Sequence, residues 1–261
     1  MTRREQVYHY RFGDVVFAVR TPCPLRIRAK YEEFRVPDET PADVTVEVIA
    51  LPGDSPIGRR EPPIVRREGN RIVMEANGED IPNVAVGNIL SLTGAAFVFP
   101  ERDSFILHAS YILYRGKALL FSAPSGTGKS TQAGFWKESR GAEIINGDRA
   151  LITRRNGEFY ANGIYVSGKS GLSRNVSAPL GTVVLLEQGE KNEIRPLKPR
   201  EKLMRLICQS TYDVNSESQR EAILSITADL VSTVPVIGYR CRNHPDSVEE
   251  LERYLWNERH E

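Results

Sequence analysis

Ala123-Pro124-Ser125-Gly126-Thr127-Gly128-Lys129-Ser130 is the stretch on which the reading of this chain turns. It has the spacing of a phosphate-binding loop, G-x-x-x-x-G-K-[ST], with alanine where the first glycine stands. Gly126 and Gly128 have no Cβ, so the backbone can take positive φ and come close to an anion. Successive N–H groups then point inward as a nest. A helix is expected to start as the loop ends, and its free N–H groups and positive dipole end add to the attraction. Lys129 is placed to reach the β- and γ-phosphates. Ser130 offers a hydroxyl to Mg²⁺, and Thr131 follows in the first turn. Ala123 demands only an ordinary negative φ at its position. The expected ligands are therefore ATP, or another nucleoside triphosphate, and Mg²⁺.

The flanks agree with this reading. Lys117–Phe121 is an apolar run suited to the interior of a sheet, and Phe105–Tyr114 before it is a long strand turned at Arg115-Gly116. After the loop, 131–140 reads as a helix stopped at Gly141. Ala142–Ile145 is the next strand, and it runs into Asn146-Gly147-Asp148. In such domains the strand after the loop's helix often carries an aspartate to the phosphates, which makes Asp148 a candidate. Further on, Leu151–Thr153 and Glu158–Tyr160 flank the hairpin signal Asn156-Gly157. Residues Gly163 to Pro179 read as a loop, 182–187 as a buried-type strand, 199–209 and 216–231 as helices, and 236–239 as a short strand. A last helix is expected from Asp246, capped by that residue with Glu249 three positions on.

Upstream, Tyr8 to Ala50 reads as β structure, with strands at 15–19 and 44–49. Residues 51–63 read as a surface loop, 71–75 as a strand and 82–95 as a helix. The texture changes near residue 100. The expectation is an N-terminal β-rich recognition or accessory domain over 1–99, and an α/β (α+β) P-loop core with a mixed sheet over 100–261. The N-terminal part offers no chemistry of its own; Arg59-Arg60 and Arg66-Arg67 read as solvated surface, with guidance of an acidic partner as the alternative.

Composition excludes several classes. The 261 residues carry a formal net charge of +1, which argues against a dedicated nucleic-acid surface. The first residues are polar with no apolar segment behind them, and no apolar run approaches the ~20 residues of a membrane span. Cys23, Cys208 and Cys241 are widely separated and odd in number, as for reduced thiols in a cytoplasmic protein.

His108-Ala109-Ser110, then Ser125 to Ser130, then a strand ending in Asp148, together resemble the HPr kinase and phosphoenolpyruvate carboxykinase superfamily. The likeness is specific over about 105–187. Ser167 to Asn175 is also similar to a loop of small bacterial carboxykinase-like proteins, some of which phosphorylate peptide precursors. The resemblance implies a kinase acting on a hydroxyl, most simply a serine or threonine of a protein or peptide. A small acceptor such as free serine, or a nucleotide-binding regulator without catalysis, are the alternatives. It implies that His108 pairs with Asp148, and that Asp148 is general base or metal partner. Lys169 and Arg174 become candidate phosphate or substrate contacts. The chain also departs from the pattern: Gly147 stands where the family usually carries a first of two acidic residues, leaving water or Glu143 to complete a metal shell. Carboxykinase chemistry finds no counterpart for its second substrate here. A homo-oligomer is compatible with the sequence, which does not address it.

Overall fold

The computed structural model describes residues 5–52, 63–81, 84–168 and 171–256. Its chain divides into two compact units, Met1–Val98 and Phe99–Glu261.

The first unit is built on a five-stranded sheet. The chain forms β1 (Gln6–Phe12), β2 (Val15–Thr21), a short helix α1 (Ala29–Glu32), β3 (Val44–Leu51), β4 (Ile64–Glu68), β5 (Arg71–Asn77) and α2 (Val86–Leu92). Strand order is β1-β2-β3-β5-β4. The β2–β3 and β3–β5 pairings are parallel, while the outer pairings are antiparallel. Phe12, Phe17 and Phe34 are fully buried and meet ring to ring at 5.1–5.8 Å from Phe12. The helix expected over 82–95 is shorter, running from Val86 to Leu92. Most of the loop expected over 51–63, with Arg59-Arg60, lies outside the described residues; Arg66 and Arg67 lie on β4, a strand the sequence pattern did not signal.

The second unit continues with β6 (Ser104–Tyr114), β7 (Lys117–Ser122), α3 (Lys129–Arg140), β8 (Glu143–Asn146), β9 (Arg149–Arg155), β10 (Glu158–Asn162), β11 (Ser177–Gln188), β12 (Glu193–Arg195), α4 (Pro199–Gln209), β13 (Ser210–Thr211), α5 (Glu217–Thr233), β14 (Val236–Cys241) and α6 (Asp246–Trp256). Among the described residues nine strands form one mixed sheet in the order β10-β9-β6-β7-β11-β14-β12, with β8 and β13 also on β6. The architecture is mixed α/β.

Alternation along the strands sends side chains to two cores. Leu107, Tyr111, Leu120, Val183 and Leu185 pack with Leu206 of α4 and Ile223, Ile226 and Leu230 of α5. Ile112, Leu119, Phe121 and Val184 pack with Ala133 and Trp136 of α3 and Val248 and Leu251 of α6. The strand β7 is covered on both faces, which is why its sequence is an unbroken apolar run.

Local chemistry explains where elements stop and where expectation fails. Gly141 ends α3 in the left-handed region at φ 67°, donating to Lys137 O, while Ala142 N–H reaches Trp136 O. Asn156 and Gly157, both at positive φ, turn β9 into β10. The strand β11 begins at Ser177, not 182, because Ser177–Pro179 pair with β10; from Leu180 onward it pairs with β7, with a register shift between Leu180 and Thr182. Asp246 does not cap α6: it is the first helical residue, and its carboxylate is held by Arg242, His244 and Asn192.

Trp136 is fully buried among Tyr114, Phe121 and Trp256, and among the described residues its Nε1 has no hydrogen-bond partner. Trp136→Ala is expected to cost about 3–5 kcal/mol in denaturant unfolding. Trp136→Phe should cost distinctly less, since it removes the orphaned donor along with part of the ring. Equal losses would contradict this account.

Candidate functional site

The loop between β7 and α3 is open. Gly126 and Gly128 hold φ 81° and 107°, and a Cβ on either would meet nothing within 4 Å. Gly128 opens α3, which starts two residues earlier than its apolar pattern suggests, and no side chain caps it. The first-turn amides therefore keep donors to spare. Lys129 is buried, and its Nζ donates to Ala123 O at 2.8 Å and Pro124 O at 3.2 Å. Burial pushes the Lys129 ammonium below the usual lysine range, with Asp148 acting against that. From β11, Gln188 Nε2 donates to Gly126 O at 3.3 Å.

Across the loop stands the end of β8. Each residue of the His108-Ala109-Ser110 run engages Gly147-Asp148. His108 Nε2 lies 3.4 Å from Asp148 Oδ1. Ala109 N–H donates to Asp148 O at 3.0 Å. Ser110 Oγ donates to Gly147 O at 2.8 Å, an oxygen that Ser130 Oγ reaches at 3.2 Å. The other ring nitrogen, His108 Nδ1, lies 3.2 Å from Gln209 Oε1 at the end of α4. Arg149 Nε donates to Asp148 Oδ2 at 3.1 Å. The hydrogen bond from His108, with Arg149 in support, holds the Asp148 carboxyl below its ordinary range although burial pushes the other way. Asp148 is thus an ionised acceptor at neutral pH.

Asn146 arranges this corner. It is fully buried. Its Oδ1 accepts from Asp148 N and Arg149 N at 2.9 and 3.0 Å, and its Nδ2 donates to Ile164 O and Val166 O at 3.1 and 2.8 Å. One amide therefore fixes both the turn that carries Asp148 and the segment after β10. That segment returns as Gly168, at φ 53°, against Asp148.

These groups surround one cleft of about 480 Å³. Ser125, Gly126, Gly128 and the first turn of α3 (Lys129, Ser130 and Thr131) form one side; His108, Gly147, Asp148 and Gly168 form the other. Thr127 faces a second cleft instead. Arg174 is in an ion pair with Glu143, at the opposite end of β8 from Gly147, so neither is brought to this cleft. Lys169 lies outside the described residues. Sequence reading missed Asn146, Arg149 and Gln209. Asn146 sits beside Gly147-Asp148 and was legible in principle as an asparagine ending an apolar strand; Gln209 comes from 101 residues away and gave no local signal.

Among the described residues no three metal-ligating side chains converge. A Mg²⁺ here would rest on Ser130 and Asp148, with phosphate oxygens and water filling the rest, the pattern this ion favours when it arrives with a nucleotide.

Two substitutions probe the corner. Asn146→Ala takes a hydrogen-bond partner from Asp148 N, Arg149 N and Val166 O, and from Ile164 O, which keeps Ser173 Oγ. It is expected to lower stability by about 3 kcal/mol in urea unfolding, and a loss below about 1 kcal/mol would contradict the tie. Gly168→Ala would set a Cβ 2.7 Å from Asp148 Cγ in a left-handed backbone. It should break the His108–Asp148 contact, visible as changed His108 ring resonances in NMR spectra.

Comparison with known proteins gives three findings. A search against curated protein sequences finds no match. Among solved structures the chain is similar to the HPr(Ser) kinase/phosphatase from Coxiella burnetii, at 16% sequence identity and a TM-score of 0.36, over 60% of this chain and 99% of that one. The model of a protein family described as "SynChlorMet cassette protein ScmC" matches residues 89–256, more than half of the chain and all of the cleft just described. The chain belongs to the SynChlorMet cassette protein ScmC family.

Proposed function

We propose that this protein is an ATP- and Mg²⁺-dependent phosphotransferase that moves the γ-phosphoryl group to a hydroxyl, with a serine or threonine of a protein or peptide as the acceptor. The observation that carries this reading is the convergence of Lys129, Ser130, His108 and Asp148 on one cleft at an open, glycine-lined loop. The likeness of the His108-Ala-Ser and Ser125–Ser130 runs to HPr kinases supports it.

The geometry supports a division of roles. The loop amides and the start of α3 hold the phosphates. Lys129 exchanges its carbonyl partners Ala123 and Pro124 for phosphate oxygens. A bound Mg²⁺ would neutralise phosphate charge. Asp148, ionised and aimed by His108 and Arg149, accepts the proton of the attacking hydroxyl. The hydroxyl oxygen bonds to the γ-phosphorus as the bond from that phosphorus to the β–γ bridging oxygen breaks, and a nucleoside diphosphate leaves. Because its carboxyl lies below the ordinary range, Asp148 serves more by position than by basicity. A second reading, a nucleotide-binding regulator without turnover, is favoured by Gly147, which leaves Asp148 the one carboxylate lining the cleft among the described residues.

Labelled ATP tests this. Lys129→Ala is expected to cut phosphoryl transfer by about 10²-fold or more. Asp148→Asn keeps the shape but removes the base and should cost about 10²–10⁴-fold. Both variants matching the parent would end the proposal. Tight MgATP binding with no transfer in the parent would favour the regulator.

A further inference from the structure

A second cleft, of about 430 Å³, lies beside the first. We infer that it is the acceptor subsite, and that it selects a peptide whose hydroxyl residue is flanked by bulky apolar side chains. This rests on the phosphotransferase reading above and adds a substrate class to it.

The direction of the loop supplies the first argument. The lysine of such a loop serves the β- and γ-phosphates. Lys129 Nζ sits on the carbonyls of Ala123 and Pro124, so the γ end of a bound triphosphate belongs at the loop's opening residues. Those same two residues wall the second cleft. The other junction is Gln209, which lines the second cleft while touching His108, which lines the first. The second cleft thus begins where the γ-phosphoryl group and the base meet. In-line attack brings the acceptor oxygen to that side of the γ-phosphorus, away from the leaving nucleotide.

The walls supply the second argument. Leu185, Leu186 and Met204 make them mainly apolar. The charges present are spent on each other: Arg205 Nη1 donates to Glu187 Oε1 at 2.7 Å and Nη2 to Leu186 O at 3.2 Å, while Arg195 and Arg240 hold the same carboxylate. Recognition there falls to apolar contact. Met204 on α4 is 51% exposed at the rim, a flexible thioether suited to a varied apolar partner. The volume is in the range that takes a drug-sized ligand, several times larger than a free hydroxy amino acid requires.

Cys208 lines this cleft and is exposed, while Cys23 and Cys241 are buried, so it reports occupancy. The probes are two synthetic peptides of equal length with a single serine, flanked on both sides by leucine or by lysine. With the full chain, the leucine peptide should slow alkylation of Cys208 by N-ethylmaleimide, and its KM should be lower by roughly tenfold or more. Met204→Glu should raise that KM by a similar factor, with kcat and the MgATP Kd within about twofold. If ATP, not peptide, protects Cys208, the cleft holds the nucleoside and the inference is wrong. Transfer insensitive to both flanks and Met204→Glu also overturns it, while leaving the phosphotransferase reading standing. No transfer to either peptide with MgATP bound removes that reading, and the subsite with it.

Discussion

The arrangement of the cleft depends on one buried amide. Asn146 ends β8 and has no exposure, so each of its hydrogen-bonding positions must be filled within the protein. It fills them by joining the turn at Asp148 to the backbone at Ile164 and Val166. No apolar residue could do this, and aspartate would lose the two donors. The carboxylate facing the loop is thereby set by main-chain geometry, and His108 and Arg149 need only orient it.

The loop is held differently. Its glycines leave it room, and its own lysine closes it by folding back on the first two carbonyls. Such a contact satisfies a buried cation, and in the proposed reaction phosphate oxygens replace it without unfolding anything. Ser130 is similarly parked on Gly147 O. The groups with proposed roles toward phosphate thus have protein partners that are easily surrendered, whereas Asn146 has partners that are not.

Much of the second unit could be read from sequence because its signals are local. The apolar run of β7, the glycines after it, Gly141 and Asn156-Gly157 each force a backbone event where they stand. What escaped was tertiary. The first half of β11 looks like loop until β10 is beside it. Asp246 has the form of a helix cap, but Arg242, four residues earlier, takes its carboxylate. Arg174, a phosphate candidate by loop position, is claimed by Glu143. In the first unit, β4 is exposed along its whole length and so lacks the apolar alternation that marks a strand. At the site, residue types and spacing made the open glycine-lined loop and the aspartate facing it legible; the neighbours Gln209 and Arg149 emerge only when α4 and β9 are brought to β6.

That last strand has a consequence for how the polypeptide is made. β6 is bonded along its length to β7, β8, β9 and β13, segments that reach from residue 117 to 211. β7 in turn needs β11 on its free edge. A growing chain on the ribosome therefore carries the glycine-rich bend for many tens of residues before its second flank exists. Non-local pairing of this kind is slow to form and leaves apolar edges bare meanwhile. Nascent chains halted before residue 177 should be the aggregation-prone and chaperone-bound species, while those extended past 241 hold every strand the sheet requires.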